Sequence, residues 1–155
     1  RDVTKHLKRG HLWGFANCFA EDKSRAKGLC ALSFKGEVIG LGIQDSESNL
    51  RFRMLCHSDE PFFRKNSASK TLTLWSESKW NNALQLRKQF VRPDHNSFRL
   101  FNGEGDGVAG LVIDIYHEVA VIKLDQVFLE EIYHLESICT RLQKEFSFLK
   151  CIYLK

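Results

Sequence analysis

The sequence predicts a mixed fold: a small N-terminal β-barrel over residues 1–57, a helical connection over 58–93, and an α/β domain with a β-hairpin over 94–155. Three observations carry this. Short apolar stretches punctuated by glycine run from Gly28 to Leu55, and small glycine-rich strands at that spacing favour a compact barrel. Between Thr71 and Val91 apolar positions recur at helical spacing. Beyond Pro93, strand-like runs around a glycine turn precede an i, i+3, i+4 apolar stripe, the signature of a sheet covered by an amphipathic helix.

In chain order, Leu29-Cys30-Ala31-Leu32 and Val38-Ile39-Gly40-Leu41-Gly42-Ile43 flank Lys35-Gly36-Glu37 and read as a hairpin. Gly40 and Gly42 mark a tight bend, a close backbone approach or a bulge. After the polar turn from Gln44 to Asn49, Leu50, Phe52 and Met54 alternate with Arg51 and Arg53, as in a strand with one buried and one wet face. Lys65 to Lys70 is polar enough for a mobile loop. Leu72, Trp75, Trp80, Ala83, Leu84, Arg87 and Phe90 outline the connecting helix, which Pro93 stops. Phe98 to Asn102 reads as a strand and Gly103 to Gly107 as turns needing positive φ. Leu111 to Tyr116 returns through His117-Glu118 into Val119 to Leu124. Phe128, Leu129, Ile132, Leu135, Cys139, Leu142 and Phe146 define one helix, followed by a short strand from Cys151 to Leu154.

A chain of 155 residues, 43% hydrophobic and 12% aromatic, buries enough apolar surface for a real core, and a disordered state is excluded. No apolar run approaches the roughly 20 residues of a membrane span; the stretch from Gly107 to Ile113 is bounded by Asp106 and Asp114. The chain opens on Arg1, and nothing visible resembles a targeting peptide. Charge is segregated. Residues 1–100 carry 18 Lys plus Arg against 10 Asp plus Glu, a net +8, whereas residues 101–155 carry 5 against 9, a net −4. The first part therefore suits a polyanionic partner.

Cys18, Cys30, Cys56, Cys139 and Cys151 are odd in number and contain no C-x-x-C pair. They read as free, mostly buried thiols of a cytoplasmic protein. The six histidines show no metal-ligand spacing, and no metal is expected. Gly105-Asp106-Gly107-Val108-Ala109-Gly110 matches G-x-G-x-x-G formally. The dinucleotide fingerprint needs a helix N-terminus after the glycines, and here a β-rich run follows, beside two carboxylates that repel phosphate. Glu104 and Asp106 form one close carboxylate pair without a third ligand or a neighbouring His, a pattern that is usually a solvated turn and only weakly suggests catalysis.

Lys5, Lys8, Arg9, His11, Trp13 and Phe15 interleave cations with aromatics, and Arg51 and Arg53 share one strand face. Cations displace counterions from a phosphate backbone, and an exposed Trp or His stacks on an unpaired base. The candidate RNA-binding set is Lys5, Lys8, Arg9, His11, Trp13, Arg51 and Arg53, although for Trp13 and Phe15 core packing is favoured over stacking.

Lys8-Arg9-Gly10-His11-Leu12-Trp13-Gly14-Phe15 resembles the R-G-H-P-W-V-F opening of the PUA domain in ribosomal RNA large-subunit methyltransferase I-type enzymes. Val38 to Gly42 followed by Ser48 to Arg53 is similar to that family's G-x-G…S-x-I-x-x-R stretch, and Phe98 to Asp114 to its R-L-x-N-G-E-x-D-G-L-P-G-L-I-V-D segment. Leu12 and Ala109 stand where the family usually has proline. The resemblance implies a PUA-like barrel that holds 23S-type ribosomal RNA, joined to a middle domain that spaces it from a methyltransferase. In the intact enzyme S-adenosylmethionine would methylate cytosine C5, with a catalytic Cys activating the base. The family places its adenosylmethionine-binding domain after the middle domain, and this chain ends at Lys155. None of the five cysteines follows a proline, so no catalytic, cofactor-binding or metal-binding residue is carried over.

The expectation is an RNA-binding and positioning portion of such an enzyme, cytoplasmic, with ribosomal RNA as partner, no membrane, and homo-oligomerisation an option for the intact protein. The alternatives are a stand-alone PUA-type adaptor working through RNA or protein contacts, and an enzyme using the Glu104 and Asp106 loop.

Overall fold

The computed structural model describes residues 3–19, 26–63, 65–87, 91–92 and 97–155, which fall into two compact units, 1–78 and 79–155. Each carries one four-stranded sheet.

The first unit opens with α1 (Val3–Lys8), a helix inside the stretch expected to form a β-barrel. Thr4 and Leu7, three residues apart, are buried, and Lys5, His6 and Lys8 are left outside. Leu7 joins Ile39, Phe52 and Met54 in the core, with Leu12, Phe19, Cys30 and Leu32 packed around them. Each such side chain contributes about 1.5–3 kcal/mol on full burial. β1 (Trp13–Phe15), β2 (Lys27–Phe34), β3 (Glu37–Asp45) and β4 (Leu50–His57) form an antiparallel sheet ordered β1-β4-β3-β2. The β2–β3 hairpin turns through Lys35 and Gly36, at φ 52 and 84, as a two-residue turn that matches strand twist requires. Gly42 is a close-approach point: a Cβ there would collide with the Arg53 carbonyl oxygen and the Phe52 ring.

The glycine spacing predicts a compact barrel, but the described residues form an open sheet. β1 and β2 are its edges and pair only with β4 and β3, because β1 is three residues long and all its partners lie on β4.

α2 (Ala68–Arg87) begins inside the stretch expected to be a mobile loop. Ser67 caps it, its Oγ accepting from the Lys70 N–H at 3.3 Å and its carbonyl from the Thr71 N–H at 2.9 Å. The expected helix end, including Phe90 and Pro93, lies outside the described residues.

In the second unit β5 (Ser97–Asn102), β6 (Leu111–Tyr116) and β7 (Val119–Leu124) form an antiparallel meander, and β8 (Cys151–Leu154) adds parallel to β7. A bulge between Arg99 and Phe101 brings Leu100 and Phe101 inside together. Ile113, Ile115, Ala120 and Ile122 complete the buried sheet face. The single helix expected from Phe128 to Phe146 is two, α3 (Leu129–Tyr133) and α4 (Leu135–Glu145). His134 breaks it at φ 49 and ψ 67, a left-handed conformation that does not propagate a helix. The Tyr133 hydroxyl, one residue before the break, donates to the Ala109 carbonyl at 2.7 Å.

Candidate nucleic-acid interface

The surface of the first unit follows from α1 and its cap. Because Thr4 and Leu7 face inward, Lys5, Lys8 and Arg9 point to solvent. Gly10, at φ 92, closes the helix: the His11 N–H donates to the His6 carbonyl and the Gly10 N–H to the Leu7 carbonyl, both at 3.0 Å. This paired arrangement is a Schellman cap, which brings the residue after the glycine back over the last full helical turn. His11 therefore meets His6, ring centroids 6.4 Å apart and nearly perpendicular. The Trp13 N–H donates to His11 Nδ1 at 3.2 Å, and their rings stand 6.3 Å apart, again edge to face.

Trp13 and Phe15 correct the expectation of core packing: they are 39% and 45% exposed. Strand alternation gives the inward position to Gly14, which Phe19 crowds so closely that a Cβ would collide with its ring, and it turns both neighbours outward. Trp13 lies directly opposite Arg53 in the β1–β4 ladder, so the two side chains share one face. Arg51, two residues earlier on β4, is half-buried like Arg53. Lys27 is held by Glu47 at 2.6 Å and Asp45 at 3.8 Å, the Glu47 hydrogen bond raising its pKa. Of the sequence-predicted residues, Lys5, Lys8, Arg9, His11 and Trp13 are exposed and Arg51 and Arg53 half-buried, all in the first unit. His6 was missed. Its signal was the spacing His6-x-x-x-Gly10-His11, legible only once α1 is recognised as a helix.

The glycine loop of the second unit is a structural joint. Gly103–Asp106 forms a 3-10 turn, with Gly103, Gly107 and Gly110 at φ 57, 73 and 74. Asp106 Oδ2 accepts from Arg87 and from the Asn102 N–H, both at 2.7 Å. Arg87 Nε donates to the Arg99 carbonyl at 3.1 Å, and Arg99 forks onto Asp114 at 2.7 and 3.0 Å. This loop does not fit adenosylmethionine: β6 rather than a helix N-terminus follows it, and its carboxylate is already bonded internally. Among the described residues no three His, Cys, Asp or Glu side chains group as metal ligands, and no helix is long and apolar enough to cross a membrane. The five cysteines are free; Cys56 is buried, Cys18, Cys30 and Cys139 are half-buried, and Cys151 is exposed, so the expected burial of most thiols holds fully only at Cys56.

Fold and surface together define a mixed α/β protein of two sheet units, the first bearing exposed cations and aromatics beside one sheet edge. No family model matches the chain. It is 33% identical over 124 residues to the ribosomal RNA large subunit methyltransferase I of Alteromonas mediterranea and 29% identical over 127 residues to a ribosomal RNA large subunit methyltransferase of Deinococcus radiodurans. Each alignment covers 77% of this chain and 29% of the relative, so the chain spans less than a third of the length of the curated relatives it matches. A solved structure from Streptococcus mutans assigned as a SAM-dependent methyltransferase shares the fold, with a TM-score of 0.75 at 18% identity, over 97% of this chain and 38% of that one.

Proposed function

We propose that this chain holds and positions ribosomal RNA for a SAM-dependent methyltransferase of the large-subunit type. In this reading residues 1–57 are a PUA-like RNA-binding module, 58–93 a helical linker and 94–155 an α/β middle domain, in a cytoplasmic enzyme. Methylation, at cytosine C5 in this reading, belongs to the part of such enzymes that this chain does not cover. The observation that carries the proposal is the first unit's outward set, Lys5, Lys8, Arg9, His11 and Trp13 beside Arg51 and Arg53. It supplies cations for phosphates and rings for bases on α1, its cap and the adjoining sheet edge. The similarity to rRNA methyltransferases supports the choice of RNA, and the fold shared with a SAM-dependent methyltransferase supports S-adenosylmethionine for the whole enzyme. The test is binding of the chain to a ribosomal RNA fragment over a salt series. Arg51→Glu with Arg53→Glu is expected to weaken binding across sequences and flatten its salt slope; unchanged binding at low salt rejects the reading.

A further inference from the structure

We infer that His6, His11 and Trp13 form a stacking platform for an unpaired nucleobase, so that this surface selects single-stranded RNA over a closed duplex. The inference rests on the RNA-holding reading above and adds to it the form of RNA taken.

Three features carry it. The three rings are contiguous, at 6.4 and 6.3 Å, and each residue is exposed. Edge-to-face contact covers at most one face of a ring, and a base needs only one open face to stack. The platform is also held in place by the backbone. The Schellman cap at Gly10 sets His11 over His6, the Met54 N–H donates to the Leu12 carbonyl at 2.7 Å, and inward-facing Gly14 leaves Trp13 no way to roll into the core. Trp75 and Trp80 are only 5% and 4% exposed, so Trp13 at 39% is the most exposed of the three tryptophans. Finally, the platform lies beside charge. Arg53 is directly across the ladder from Trp13, and Lys5, Lys8 and Arg9 border the histidines on α1 and its cap. Cations track the backbone of either a strand or a duplex, but a duplex keeps the faces of its bases stacked and unavailable. The aromatic row thus favours the unpaired form.

The experiment titrates the chain with oligouridylate and with an RNA duplex of equal length at low salt, following tryptophan emission together with an independent binding signal. All three indoles emit, but Trp75 and Trp80 are buried beyond the reach of a base, so quenching by contact reports Trp13. Quenching by the single strand and little change with duplex is expected. Trp13→Ala should weaken single-strand binding about tenfold and leave duplex binding nearly unaltered. Trp13→Phe, which keeps a ring on the same strand position, should retain most of the affinity and lose the quenching. His6→Ala should narrow the preference for single strands. Equal, salt-sensitive binding of both forms with emission unmoved overturns the platform while leaving the electrostatic reading intact. Failure of both forms to bind at low salt removes the reading beneath it.

Discussion

His6 and His11 are joined twice, by a backbone bond from the His11 N–H to the His6 carbonyl at 3.0 Å and by rings 6.4 Å apart. Both contacts depend on the residue between them that has no side chain. Gly10 sits at φ 92, in the region an L-residue enters at a cost of about 1–2 kcal/mol. Gly10→Ala is therefore expected to lower stability by about that amount and to loosen His11 from His6. Urea unfolding measures the first effect, and the chemical shifts of the two imidazoles report the second. An unshifted midpoint with unchanged shifts would show that the cap does not hold the pair.

Lys5, Lys8 and Arg9 are exposed on α1 and its cap, so their replacement should leave folding intact while removing phosphate contacts. Each single change to Glu is expected to lower the slope of log affinity against log salt by about 0.7 for a single strand. Fluorescence anisotropy at four salt concentrations checks this. Three variants with the parent's slope would remove these cations from the interface.

Asp106 is predicted to be structural. Its pair with Arg87 retains only 13% and 16% side-chain exposure, and its loss leaves the Asn102 N–H without that acceptor. Asp106→Ala should cost about 2–3 kcal/mol, below the roughly 3–5 kcal/mol of a fully buried pair because some solvent reaches this one. A thermal midpoint several degrees lower with unchanged RNA binding is the expected outcome. Loss of binding or activity at unchanged stability would restore a chemical role for the loop.

Gly42→Ala is expected to destabilise the first unit by about 1–3 kcal/mol, the range of overpacking. The new methyl has to displace the Arg53 carbonyl oxygen and the Phe52 ring, one of which is backbone. A chemical-denaturation midpoint equal to the parent's would mean that the β3–β4 ladder yields more easily than its contacts suggest.

The thiols should react in order of access. Cys151 is exposed and Cys56 buried, while burial pushes the Cys30 and Cys139 thiols up and reduces their thiolate fraction. Iodoacetamide labelling followed by mass spectrometry should find Cys151 modified first and Cys56 last. Cys30 labelling at the rate of Cys151 would contradict the packing around β2.

By itself the sequence determined most of the strands and the turns between them, but not β1. Lys35-Gly36 and His117-Glu118 join runs whose alternation leaves little choice of register, and the excess of cations lies in residues 1–100. Local chemistry was enough there, because a turn and an alternating strand are decided by neighbours a few residues apart. The tertiary structure decided what depends on distant partners. Phe19 fills the space that Gly14 leaves and so sends Trp13 outward, reversing the burial that its size alone suggested. His134 splits a continuous apolar stripe into α3 and α4, since periodicity records which faces are apolar and not where the backbone turns. Arg87 reaches across 19 residues to take Asp106, making a carboxylate that looked available part of a joint. In each case the outcome rests on what occupies the far side of a contact, which no window of sequence contains.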